Sequence, residues 1–537
     1  MASDPDEMQR VTQKAMIHEL REESNATINK TVPWFLENMP SSYFRQVGYH
    51  TRLDHVKAVA SLRGADMEMS LSIKTVTADD RRVTTFISPC NSPGLILSQL
   101  SQLPSYADRS LSRVQIYTSE DNSMCLNMYT YGEGVSGAAG QHNPVEIAGA
   151  ILDHADRLQD GQYESDPRHP APDARLFGRD NLISYMQNCT TGYLKLSDHR
   201  RFLLQRKLFD SVSGGEGVAI RIEEYMPNPD EEETHMTLGS LPLFWVDMAI
   251  ANSIPQYSLE HSARVLKISN FDIVRSHLDN VNDGDNGHVT MLRLLVQPQG
   301  SELPSDKKWD QLERNLKRQK WLDPATTELV GNHSWLGIRR SEFITAVASL
   351  MHPVMGQKNP VAYSKANIYS TITNKRFIET SAKIADLFID RFDPDSPLGE
   401  EEFQQRSEQI RQKIRKHVVD RNAYELLNKM VDVVHHTLRT NLFMEDRYAL
   451  GFRLDPKLME DVGDVPYGIF FVHGRRFNGY HVRFRDIARG GMRLVTPLTE
   501  EQLSLESGRQ YGECYNLAFA QQLKNKDIPE GGSKCVC

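Results

Sequence analysis

The sequence predicts an α+β multidomain protein: small regulatory-type α+β sandwiches, then a helical segment, then the opening of an α/β domain. Two observations carry this. Up to about residue 300 the apolar residues switch between the period of two that suits a strand and the three-and-four spacing of a helix face. Beyond that the pattern is helical to Asp393, and strands return only near Leu450.

Residues 1–44 read as a helical arm ending at Pro40-Ser41-Ser42. Residues 45–158 form a first α+β module. Met67, Met69, Leu71 and Ile73 alternate with polar neighbours, Asp79-Asp80 turns the chain, and Val83-Thr84-Thr85-Phe86-Ile87 returns it as a hairpin. Leu95, Leu97, Leu100 and Leu103 make a short amphipathic helix after Pro93-Gly94. Val114 and Ile116, then Met124, Leu126 and Met128 around Glu120-Asp121-Asn122, give a second hairpin. That order places helices on one face of an antiparallel sheet. A polar, Pro-rich stretch, 159–173, leads to a second α+β module at 174–300, whose alternation is carried by Ile220, Ile222, Val265, Ile268, Ile273 and the run Val289–Leu295. No internal repeat stands out in the residues, although the two modules could share a topology.

Residues 301–393 are helical, with Phe377, Ile384, Leu387 and Phe388 on one packed face that stops at Asp393-Pro394. Pro394–Gly399 is a linker. Within 400–537, Phe403, Ile410, Ile414 and Val418 mark one helix, and another spans about Arg421–Arg439. Leu450, Phe452 and Leu454 alternate as a strand, Ile469–His473 reads as a more deeply buried one, and Tyr480, Val482 and Phe484 face a core with basic neighbours turned away.

Composition narrows the function classes. Lys and Arg number 62 against 71 Asp and Glu, and the net charge of −9 argues against nucleic acid or an anionic membrane as partner. No run approaches the roughly 18 apolar residues of a membrane span. The acidic start, Met1–Glu7, has neither a signal nor a transit character, so a cytoplasmic location is expected. Six cysteines in 537 residues are no disulfide framework. Cys535 and Cys537 lack a nearby His or further Cys to complete a tetrahedral site, the loop Asp279–Gly287 has Val281 where a calcium ligand would stand, and His435-His436 diverge by about a hundred degrees on a helix. No metal is expected.

Chemistry concentrates at the C-terminal end. After the strand at Tyr480–Phe484 comes Ala488-Arg489-Gly490-Gly491-Met492-Arg493, where a cation beside a Gly-Gly pair lets backbone and charge approach a carboxylate. Thr499-Glu500-Glu501-Gln502 is a capping box that opens a long helix with Leu503, Cys514, Leu517 and Ala518 on its buried face. The helix delivers Lys524, Ile528 continues as a short strand, and Pro529-Glu530-Gly531-Gly532-Ser533-Lys534 forms a tight turn presenting a second lysine.

Taken in order, Arg489-Gly490-Gly491-x-Arg493, a long helix ending in Lys524, and Pro529-x-Gly531-Gly532-x-Lys534 resemble the substrate-binding core of the glutamate dehydrogenases. Pro466–Phe471 through Lys534 is similar to the large-subunit NAD-specific class, which carries a long N-terminal extension. The resemblance implies that residues 400–537 begin an α/β substrate domain. It implies Arg489, Gly490, Gly491 and Lys524 as substrate-binding residues and Lys534 as the catalytic lysine. In the smaller enzymes the position matching Arg489 is a lysine, and Lys524 lies two residues closer to the Gly-Gly turn than its counterpart. The implied reaction is NAD-dependent oxidative deamination of L-glutamate to 2-oxoglutarate and ammonia, in a homo-oligomer, with a mitochondrial location as the alternative. Two cations hold the two carboxylates, and a lysine crowded by like charge acts as a base. The family's chain continues into a nucleotide domain, whereas Lys534 is followed by Cys535-Val536-Cys537. Gly214-Gly215-Glu216-Gly217 lacks the third glycine of a dinucleotide fingerprint and carries a carboxylate. The expectation is therefore a C-terminally truncated chain, with no cofactor-binding residues, an exposed Lys534 and no activity alone. The alternative is a non-catalytic regulatory or assembly module that binds an effector or intact subunits.

Overall fold

The computed structural model describes residues 25–40, 43–44, 47–64, 70–76, 82–89, 94–103, 111–131, 146, 148–153, 178–189, 193, 199–225, 241–459, 463–524 and 530–537. Met67, Met69, Asp79-Asp80, Pro93, the stretch 159–173 and Ile528-Pro529 lie outside the described residues. The chain forms two compact units, 1–320 and 321–537. The predicted α+β class is found.

The first unit contains α1 (Asn25–Asn38), α2 (Tyr49–Gly64), β1 (Leu71–Val76), β2 (Arg82–Ser88), α3 (Leu95–Leu100), β3 (Leu111–Thr118) and β4 (Cys125–Tyr131). The same order then recurs as α4 (Arg179–Gln187), α5 (His199–Val212), β5 (Val218–Glu224), β6 (Phe244–Ala251), α6 (Pro255–Ile268), β7 (Phe271–Asn282) and β8 (His288–Pro298), and α7 (Asp306–Arg318) follows. All eight strands join one antiparallel sheet in the order β1-β2-β4-β3-β7-β8-β6-β5. Among the elements just bounded, each half runs as two helices, a strand pair, a helix and a second strand pair, and the halves meet through their third strands, Val114 opposite Leu278 and Gln115 opposite His277. This is an internal duplication about a pseudo-twofold axis at the β3–β7 seam. Joining the two third strands covers one edge of each half, and β1 and β5 remain as the edges of the eight-stranded sheet.

Helices cover both faces of the sheet, rather than the single face expected. Leu126 and Met128 of β4 pack with Val32, Phe35 and Val56 of α1 and α2. Their neighbour Asn127 points the other way, donating to Gln99 of α3 at 2.6 Å, which also accepts from the Tyr129 hydroxyl at 3.1 Å. In the second half Asp247 accepts from Gln205 of α5, while the adjacent Met248 sulfur accepts from Ser262 of α6. A strand buried on both faces loses its polar alternation, and its polar side chains survive by hydrogen bonding. Val265 and Ile268, read as strand residues, belong to α6, where their spacing of three suits a helix face.

The second unit packs α8 (Pro324–Asn332), α9 (Gly337–Met355), α10 (Lys365–Ile372), α11 (Ile378–Arg391), α12 (Glu400–His417) and α13 (Arg421–His436) against a second sheet. Its strands are β9 (Thr437–Thr440), β10 (Ala449–Leu454), β11 (Gly468–Gly474), β12 (Phe477–Arg483), β13 (Ala488–Arg489), β14 (Met492–Arg493) and β15 (Gly531–Val536), with α14 (Glu500–Gln522) before β15. The helix expected to run to Arg439 stops at His436, because Thr437–Thr440 pairs with β10.

A buried polar chain ties α8 to this sheet. Asp323 caps α8 by accepting from the Ala325 and Thr326 amides, and its Oδ2 sits 3.1 Å from His473 Nε2 on β11. Burial alone would raise the Asp323 pKa, but the bond and charge of His473 and the Thr326 bonds hold it below its usual value. Burial would lower His473, yet Asp323 and Asn478 hold it above its usual value. The signs fix a window. The histidine's contribution is complete below about pH 6.5 and is lost as pH rises through its raised value; the aspartate's is complete above about pH 4 and is lost as pH falls. Asp323→Asn, which keeps the cap, is expected to destabilise the protein by roughly 3 kcal/mol near pH 5.5 and to flatten the pH dependence on both sides. Urea melts from pH 3 to 9 test this, and parallel curves for the two proteins would contradict it.

Candidate active site

β13 and β14 both run parallel to β15, Ala488 opposite Gly531, Arg489 opposite Gly532, Met492 opposite Cys535 and Arg493 opposite Val536. The offset is the same in both pairs, so Gly490 and Gly491 run alongside Ser533 and Lys534 without a bulge. Parallel neighbours need a crossover, and α14 supplies it. Its start follows the predicted capping box: Thr499 accepts from the Gln502 amide at 3.2 Å, and Gln502 Oε1 accepts from the Leu498 amide at 2.9 Å. Tyr511, Cys514 and Ala518 are buried, whereas Leu503, expected on that face, is exposed.

The glycines are there for backbone approach. A Cβ on Gly490 would lie 1.8 Å from the Ser533 carbonyl oxygen, and one on Gly532 would lie 2.1 Å from the Gln522 nitrogen and 2.2 Å from the Ala518 oxygen. The segment expected as a tight turn is consequently a strand: Gly531–Val536 is gripped between β12 on one side and the Arg-Gly-Gly segment on the other, with α14 against it.

Four of the five site residues taken from the sequence come together on these strands. Arg489 Nη2 donates to the Gln521 and Lys524 carbonyls at the end of α14, both at 3.2 Å, where the helix dipole favours a cation. Arg489 Nε and Nη1 are buried without a hydrogen-bond acceptor among the described residues, and Nη1 lies 3.7 Å from Glu530 Oε2. A Cβ on Gly491 would sit 3.8 Å from Lys534 Nζ, so the ammonium lies over that glycine. Lys534 is half-buried rather than exposed, because its strand is internal to the sheet. Lys524 brings its backbone to Arg489, but its side chain is exposed. The sequence reading missed Glu530, which faces Arg489. Its signal was present, a lone carboxylate within an otherwise uncharged Pro-Glu-Gly-Gly segment.

A family model described as the catalytic domain of bacterial NAD-glutamate dehydrogenase matches residues 409–535, the segment that holds these strands. This segment, about a quarter of the chain, is what resembles the NAD-specific glutamate dehydrogenases. It is similar to the NAD-specific glutamate dehydrogenase of Saccharomyces cerevisiae, 52% identical over 102 residues that cover 18% of this chain and 9% of that protein. Glutamate dehydrogenase 2 of Dictyostelium discoideum is 40% identical over 132 residues, 24% of this chain and 13% of that one. The NAD-specific glutamate dehydrogenase of Halomonas elongata is 28% identical over 180 residues, 32% of this chain and 10% of that one. The matches thus span about a tenth of the length of these curated relatives.

The Gly-rich segment Gly214–Gly217 does not fit a dinucleotide. Asp283 Oδ2 already accepts from the Gly214 amide at 2.8 Å, and Glu216 is held by Lys320 and Asn252, each at 2.9 Å. Two carboxylates stand where a pyrophosphate would have to be cradled. Among the described residues no group of three or more His, Cys, Asp or Glu is placed to hold a metal, and no helix is long and apolar enough to cross a membrane.

Proposed function

We propose that the strands around Lys534 hold and deprotonate reactants in the NAD-dependent oxidative deamination of L-glutamate to 2-oxoglutarate and ammonia. The observation that supports this most is the unbroken parallel register that sets Gly491 beside Lys534. The unsatisfied Nε–Nη1 edge of Arg489 has the fork geometry for one substrate carboxylate, which would take the place of Glu530. Lys524, exposed and one carbonyl away from that guanidinium, receives the other carboxylate. Gly490 lets Ser533 pack against this strand, and Gly491, whose open side faces Lys534 Nζ, leaves room for the substrate's atoms to approach. Lys534 takes a proton from the water that adds to the substrate's iminium carbon, and ammonia then leaves. NAD is the family's hydride acceptor, and no described residue of this chain is assigned to it.

Calorimetric titration of the full chain with 2-oxoglutarate tests the carboxylate assignment. Lys524→Ala is expected to weaken binding about tenfold or more, the worth of a charge-assisted hydrogen bond. Equal affinity for the variant and the unmutated chain would remove Lys524 from the site.

A further inference from the structure

The strand that carries Lys534 presents a second set of reactive atoms on its other face. Successive side chains alternate along β15, so Cys535 points away from Lys534. The parallel register places Met492 of β14 beside Cys535. Cys537 Sγ lies 3.5 Å from Cys535 Sγ and 4.0 Å from Met492 Sδ. Three sulfurs, two thiol and one thioether, thus share one corner of the sheet. The sequence alone offers only the pair, because Met492 stands 45 residues before Cys537.

The backbone fixes this corner from both sides. The Cys535 amide donates to the Gly491 carbonyl at 3.1 Å and the Cys537 amide to the Arg493 carbonyl at 3.0 Å, while the Cys537 carbonyl accepts from the Val495 amide at 2.8 Å. On the other side β12 pairs with the same strand, Tyr480 against Val536 and His481 against Cys535. Gly479 makes room for the sulfur, since a Cβ there would lie 2.7 Å from Cys537 Sγ. Cys535 and Cys537 are half-buried and Met492 is 63% exposed, so the group is reached from solvent past Met492.

Two thiols this close can join as a disulfide or share a metal ion. The strand disfavours the disulfide. Residues two apart on an extended strand have Cα atoms about 6.6 Å apart, near the upper limit for that bond. Closing it would bend a strand that is paired on both sides. A metal ion needs no such movement. With metal–sulfur bonds of about 2.3 Å, the two sulfur separations subtend roughly 100° and 120°, close to trigonal. Among the described residues no third His, Cys, Asp or Glu joins the pair, so zinc's usual tetrahedral set is not matched, whereas thiolate and thioether together suit a soft monovalent cation. Burial, then the bond to Cys537 and its charge, push the Cys535 thiol up to about 12, so its proton must leave when a metal binds.

We propose that Cys535, Cys537 and Met492 form a binding site for a soft monovalent metal ion, cuprous copper. Both thiols release their protons to solvent, the two thiolates and the thioether each donate an electron pair to the ion, and neither copper nor sulfur changes oxidation state. The bound ion clamps β14 to β15 beside the Arg-Gly-Gly segment. The site lies on the face opposite Lys534 and does not depend on the chemistry proposed for that lysine.

Anaerobic titration of the full, reduced chain with the coloured cuprous bicinchoninate complex tests the site, transfer of copper being read as loss of colour. The unmutated chain is expected to take up one copper ion. Cys535→Ser and Cys537→Ser each lose that uptake, and Met492→Leu weakens it by at least the roughly tenfold that losing even an outer partner of a metal site costs. Cys514→Ser keeps it, because the Cys514 thiol is engaged with the Tyr480 and Lys534 carbonyls. Lys524→Ala also keeps it, which separates this site from the proposed active site. An unmutated chain that takes up no copper overturns the proposal. So does uptake that survives both serine variants, or Met492→Leu binding as tightly as the unmutated chain. Should the variants fail to fold, alkylation of the unmutated chain mapped by mass spectrometry decides: one equivalent of cuprous ion shields Cys535 and Cys537 together if the site exists, and equal labelling with and without copper overturns it.

Discussion

Gly490→Ala is expected to destabilise the protein by about 3 kcal/mol or more and to abolish 2-oxoglutarate binding. The added methyl would sit 1.8 Å from a backbone oxygen of Ser533, and no side-chain rotation relieves that. The strand would have to move off β15, carrying Arg489 from the end of α14 and uncovering Lys534. Gly491→Ala is the internal control. Its Cβ meets only Lys534 Nζ, at 3.8 Å, and its φ is not in the left-handed region, so about 1 kcal/mol or less is expected. Urea unfolding with calorimetry reads both variants. A Gly490→Ala chain as stable as Gly491→Ala would mean that the parallel pairing is misplaced.

The second large effect is expected at Glu342. Its carboxylate meets Arg447 Nη2 at 2.5 Å with the two side chains 5% and 7% exposed, and Arg447 Nη1 donates to the Leu442 and Met444 carbonyls. The pair ties the turn between β9 and β10 to α9. Glu342→Leu leaves a buried guanidinium without its counter-charge and is expected to cost about 3–5 kcal/mol. The double variant Glu342→Leu/Arg447→Met removes both charges and is expected to recover most of the loss. Additive losses in urea would show that the pair itself, rather than the orphaned charge, sets the stability.

What could be read from sequence divides along physical lines. The packed stripe of Ile384, Leu387 and Phe388 and the capping box at Thr499 were legible because each depends on local spacing alone. The duplication was not. Its two halves share topology while their buried polar groups differ in kind, His55 and Thr85 in one and Arg201, Gln205 and Asp247 in the other, so no residue pattern repeats. Strands buried on both faces, such as β4, also hide their period. At the candidate active site the residue types were legible from the family resemblance, but the placement was not. Gly531-Gly532 reads locally as a turn, and only the approach of α14 and of Gly490 explains why a strand there must be glycine. The engagement of Arg489 with the end of α14 likewise depends on a crossover that no local pattern encodes.

The central claim is that Lys534 and Lys524 face one substrate across the Arg-Gly-Gly segment. Mass-spectrometric mapping of lysine acetylation on the full chain, with and without saturating 2-oxoglutarate, measures this directly. The account predicts that modification of Lys534 and Lys524 slows about tenfold or more when the ligand is bound, while Lys375 on the helical side of the same unit reacts unchanged. Undiminished acetylation of Lys534 at saturation would contradict it.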